Sequence, residues 1–138
     1  MKLLLVIHLL FGLGNLLFAQ SQLEVIVKNI KNANGNVRVG IFNDEKTFLE
    51  KAVYGQVVKS SEGGVTVLFN IPPGTYAVSV IHDEDEDGDL DSGMFGIPKE
   101  GFSFSNDAMG TFGPPSFKKA SIAVGTGKIS ISIGMRYL

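Results

Sequence analysis

Apolar and polar residues alternate in short runs through most of the chain, and a period of two predicts strands rather than helices. Leu23, Val25 and Val27 alternate with Glu24 and Lys28, and Val37, Val39 and Ile41 repeat the pattern. Between the two runs lies Asn32-Ala33-Asn34-Gly35-Asn36. Asn-Gly is a strong hairpin signal because both residues tolerate φ > 0, so the flanking strands are expected to pair. A third strand is expected at 52–59, followed by a turn at Ser61-Glu62-Gly63-Gly64 and a return through Val65, Val67 and Phe69. Ile71-Pro72-Pro73-Gly74-Thr75 reads as a rigid turn. It leads into Tyr76, Val78 and Val80 on one face and Ala77, Ser79 and Ile81 on the other, the mark of a strand buried on both sides. Two last strands are expected at 117–124 and 128–137, joined at Gly125-Thr126-Gly127. In the final one Ile129, Ile131, Ile133 and Met135 share a face, while Lys128, Ser130, Ser132 and Arg136 turn to water. Only 44–50 reads as a short helical turn, with Asn43 or Asp44 as its cap.

About seven short strands with tight turns and almost no helical period predict an all-β fold. The fitting architecture is an antiparallel β-sandwich of immunoglobulin-like or transthyretin-like kind. One long connection, 92–115, lacks periodicity. Its Phe95, Ile97, Phe102, Phe104 and Phe112 are too apolar to leave in water, so it is expected to be an ordered loop capping the open end of the sandwich.

The first nineteen residues stand apart from this pattern. Lys2 precedes an almost wholly apolar run, and Ala19 offers a small residue before Gln20. A secretory signal peptide is expected over 1–19, with a single domain over 20–138. Gly12, Gly14 and Asn15 make the run a poor spanning helix, so no membrane span is expected after cleavage. The chain has no cysteine, so neither disulfides nor a lipid-modified cysteine enters the picture. The expected location is periplasmic or secreted.

Charge changes the reading at one place. Seven of the 14 acidic residues fall within 83–91, in the run His82-Asp83-Glu84-Asp85-Glu86-Asp87-Gly88-Asp89-Leu90-Asp91. Acidity this localised points to a cation rather than to general solubility, and no basic, aromatic-interleaved patch suggests nucleic acid. Asp83, Asp85 and Asp87 before Gly88 give the spacing D-x-D-x-D-G, in which alternate carboxylates converge on one ion and the glycine permits the reversal beneath it. Asp89 would then offer its backbone carbonyl, and Asp91 a direct or water-mediated contact. The pattern departs from a calcium loop at its twelfth position, where Met94 stands instead of a bidentate carboxylate. Glu100, a backbone carbonyl of the following segment, or water would have to replace it. Hard oxygen ligands favour Ca²⁺ over softer metals, with an affinity on the order of 0.1–1 mM.

His82 shares parity with Tyr76, Val78 and Val80 and is expected to be a structural histidine bonded to the loop rather than a general base. The leading expectation is therefore a non-enzymatic, monomeric binding module with a Ca²⁺ loop, acting on an envelope protein or glycan. The alternatives are a metal-assisted hydrolase using His82 and a purely structural assembly protein without metal.

Four motifs carry a family resemblance: P-P-G-T-Y-A-V-S-V-I-H-D-E at 72–84, G-D-L-D at 88–91, F-G-I-P-K-E-G-F-S-F-S-N at 95–106 and F-G-P-P-S-F at 112–117. Together they resemble a family of small secreted bacterial proteins catalogued as domain of unknown function 2141. The resemblance implies an exported β-sandwich and no established activity. Members of that family often carry asparagines where this chain has Asp85 and Asp87, so the present loop is the more calcium-like.

Overall fold

The computed structural model describes residues 21–86 and 100–138. The strands are β1 Ser21–Ile30, β2 Asn36–Phe42, β3 Tyr54–Lys59, β4 Gly63–Ile71, β5 Gly74–Asp83, β6 Gly101–Phe104, β7 Ser121–Val124 and β8 Gly127–Gly134. They form two sheets, one ordered β4-β1-β8 and the other β3-β2-β5-β6, with β7 pairing β5 beyond the end of β6. The sheets face each other, and alternation decides what lies between them. Leu23, Val25 and Val27 from one sheet and Val37, Val39 and Ile41 from the other are almost fully buried in a single core. The polar partners of the β8 isoleucines, Lys128, Ser130 and Ser132, are exposed as their parity requires.

The all-β sandwich agrees with the alternation, but its wiring differs in three respects. β1 and β2 do not form a hairpin: β1 pairs β4 and β8, whereas β2 pairs β3 and β5. The bend between them, including Gly35 at φ 64°, crosses from one sheet to the other so that both apolar faces meet across the core. The β1–β8 pair is parallel, while the other strand pairs are antiparallel. Third, 117–124 is not one strand. Phe117–Ala120 forms a single helical turn, α1, capped by the Ser116 side chain, before β7 begins.

The connection at 92–115, which lacks periodicity in sequence, contains a strand. β6 pairs His82–Ser79 of β5, and a 3-10 turn follows at Ser105–Asp107. Its period is weak because Gly101-Phe102-Ser103-Phe104 is short and packs on two sides. Phe104 joins Ala77 and Ala120 in a second apolar cluster on the outer face of the β5 sheet, covered by Phe48, Phe117 and Met109. Phe48 contributes edge-on contacts to Phe42, Phe104 and Phe117. It follows the 3-10 turn Glu45–Thr47, which Asp44 caps through Lys46 N–H, as expected from sequence. β5 is thus buried on both faces.

Ser105 holds this sheet together at a weak point. β6 pairs β5 over Ser79–His82 and β7 pairs it over Gly74–Ala77, leaving Val78 between the two. The Ser105 hydroxyl accepts from Val78 N–H at 2.9 Å and donates to the Ala120 carbonyl, so a buried side chain replaces the missing ladder bond.

Candidate metal centre

β5 ends at Asp83, which pairs Asn36 of β2 and is almost completely buried. The bend that joins β1 to β2 is packed directly on this end. A Cβ on Gly35 would lie 2.0 Å from the Asp83 carbonyl oxygen and 2.7 Å from that of Glu84, so only glycine fits. The bend is fastened from several sides. Ser60 Oγ donates to Asn32 O at 2.7 Å, Ser60 N–H donates to Gly35 O at 3.0 Å, and Asn32 Nδ2 donates to Glu84 Oε1 at 2.7 Å. Lys31 Nζ lies 3.7 Å from the same Glu84 oxygen.

His82, the residue before Asp83, has no exposed surface. Its Nε2 is 2.7 Å from the Asn34 carbonyl, which can only accept, so this nitrogen carries the proton. In the neutral ring Nδ1 then accepts from the Tyr137 hydroxyl, 2.8 Å away. Tyr137 Oη in turn accepts from Lys31 N–H at 3.0 Å. Burial raises the Tyr137 hydroxyl above the ordinary tyrosine pKa; the Lys31 N–H opposes the rise and the Glu84 charge adds to it.

The C-terminal tail reaches this corner by a bridge between Phe102 and Arg136, with Phe102 N–H donating to Arg136 O at 3.0 Å. The Tyr137 ring then rests against Gly101, where a Cβ would come within 2.4 Å of it. Gly101 pairs His82, so its neighbour Glu100 arrives beside the end of β5. The outcome is a convergence of three carboxylates. One oxygen each from Asp83, Asp85 and Glu100 lies within 4.8 Å of the others, with Asp83 buried, Glu100 half-buried and Asp85 exposed. Asp83 Oδ1 and Glu100 Oε2 are shut off from solvent.

Of the five metal ligands expected from sequence, Asp83 and Asp85 therefore stand together, and Asp87, Asp89 and Asp91 lie outside the described residues. Met94 and the 1–19 segment lie outside them too. Glu100, a candidate for the position Met94 cannot fill, joins the pair through the β5–β6 ladder. An oxygen-only set of this kind suits a hard cation. His82 is a structural histidine as expected, with both nitrogens engaged, but its partners are Asn34 of the β1–β2 bend and Tyr137 of the tail rather than the acidic loop.

An all-β sandwich with an acidic cluster at the end of a central strand defines the architecture. Residues 25–132 match the bacterial family described as "Uncharacterized protein conserved in bacteria (DUF2141)", and the chain belongs to that family. No curated protein and no solved structure matches it. Among the described residues no helix is long and apolar enough to cross a membrane.

Proposed function

We propose that this protein is an exported, non-enzymatic binding module whose acidic turn after β5 takes up Ca²⁺. The observation that carries the reading is the meeting of Asp83, Asp85 and Glu100 carboxylate oxygens within 4.8 Å at a buried strand end. Ca²⁺ accepts six to eight oxygens in flexible geometry. In this reading Asp87, the Asp89 carbonyl, Asp91 and water complete the shell. The ion joins the end of β5 to the start of β6 and stiffens the connection between them, presenting a surface to an envelope protein or glycan. The hydrolase alternative loses support from His82, whose ring has no exposed surface and no free nitrogen to serve as a base.

Isosteric neutralisation tests the site. Asp83→Asn and Glu100→Gln should each abolish the rise in melting temperature that Ca²⁺ gives the parent protein. An undiminished rise in both variants would remove the cluster from the reading.

A further inference from the structure

We propose that the Gly110–Gly113 loop and the cations beside it form a docking surface for an anionic lipid bilayer. Contrary to the expectation that it would be covered, Phe112 is 101% exposed, whereas every other described phenylalanine is buried or packed into an apolar cluster. Single exposed hydrophobics are common on protein surfaces, so its presentation matters more than its presence. Gly110 N–H donates to Gly113 O at 3.1 Å, closing a tight turn with Thr111 and Phe112 at its tip. Pro115 just after it is buried, and a Cβ on Gly110 would collide with the Pro114 carbonyl at 2.4 Å. The ring is therefore held away from the body of the domain by a stiff base, which leaves little conformational freedom to lose on insertion.

The chemistry around the tip selects the partner. α1 follows at once and exposes Lys118 and Lys119. Asn106 Nδ2 donates to the carbonyls of Lys119 and Ser121, fastening the Ser105–Asp107 turn to α1. Arg136, also exposed, donates to the Asp107 carbonyl and so joins the same flank. Neither ion pair seen among the described residues involves these three cations. Asp107, the acidic residue of the Ser105–Asp107 turn, accepts from Gly134 N–H through its Oδ1. An apolar tip followed by two exposed lysines, with an exposed arginine on the same flank, matches the layering of an anionic membrane surface, acyl chains below and phosphates above.

Co-sedimentation of the purified protein with phosphatidylcholine vesicles, with and without phosphatidylglycerol, tests the assignment. Binding is expected only to the phosphatidylglycerol vesicles and should weaken with added salt. Phe112→Ala should weaken it by about tenfold at an unchanged melting temperature, because the ring makes no packing contact to lose. The apolar 1–19 segment is common to both variants, so their difference reads the loop tip alone. Lys118→Ala with Lys119→Ala should remove the preference for phosphatidylglycerol. A parent protein that leaves phosphatidylglycerol vesicles unbound, or a Phe112→Ala variant that binds them equally well, would overturn the proposal. So would capture of an acidic protein by this loop with no vesicle binding.

Discussion

The Tyr137 hydroxyl stands 2.8 Å from Nδ1 of His82, joining the next-to-last residue of the chain to the residue that precedes Asp83. Through Lys31 N–H on one side and Asn34 O on the other, this pair ties the tail, the β1–β2 bend and the end of β5 into one unit. Tyr137→Phe keeps the ring on Gly101 but leaves the buried Nδ1 without its donor. We expect a loss of about 1–2 kcal/mol in unfolding free energy, measured by urea denaturation. A loss below a few tenths of a kcal/mol would show that the bond does not hold the corner together.

The same hydroxyl sets an alkaline limit. Its pKa is raised in the folded protein, chiefly by burial, whereas the unfolded chain titrates near the ordinary value of about 10. Above that value the unfolded state sheds a proton that the native state keeps, so stability must fall as pH climbs from about 10 toward the raised native value. Thermal melts between pH 9 and pH 11, on the order of that window, should show this decline. Tyr137→Phe should reduce it; Tyr76, also raised by burial, contributes in the same direction.

Gly35 carries two constraints at once, a left-handed φ of 64° and backbone carbonyls that leave no room for a Cβ. Gly35→Ala should destabilise the protein by at least about 2 kcal/mol, and the bend should move off Asp83. Differential scanning calorimetry gives the first effect. Weaker ion binding, if the acidic cluster is the site, gives the second.

Ser105→Ala would remove the hydroxyl that serves Val78 N–H between β6 and β7. An unsatisfied buried donor costs about 1–3 kcal/mol. Hydrogen exchange should locate the damage at Val78 and its neighbours rather than in the β4-β1-β8 sheet. Uniform loss of protection across both sheets would contradict this local role.

Much of this architecture was legible in the sequence because alternation is a strong signal wherever one strand face is buried. Val25 and Ile133 show it on one sheet, Val39 and Val80 on the other. Pairing was not legible, because alternation states which face is buried and not which neighbour supplies the hydrogen bonds. Asn34-Gly35 carried a genuine turn signal, yet the turn crosses between sheets. β6 was hidden because Phe102 and Phe104 share a face with a second apolar cluster that no local pattern announces. At the site, Asp83 and Asp85 were visible from spacing, and Glu100 only as one of several replacements for Met94. Its position depends on Gly101 pairing His82 across 19 residues of sequence, a relation that only the folded sheet reveals.

Calorimetric titration of Ca²⁺ into the chelator-treated protein, with Mg²⁺ as control, addresses the ion directly. Saturable heat near about one equivalent, with a half-saturation on the order of 0.1–1 mM and a rise in melting temperature, is the expected result. Absence of both heat and thermal shift up to about 5 mM Ca²⁺ would contradict it and leave the acidic turn as a solvated strand end.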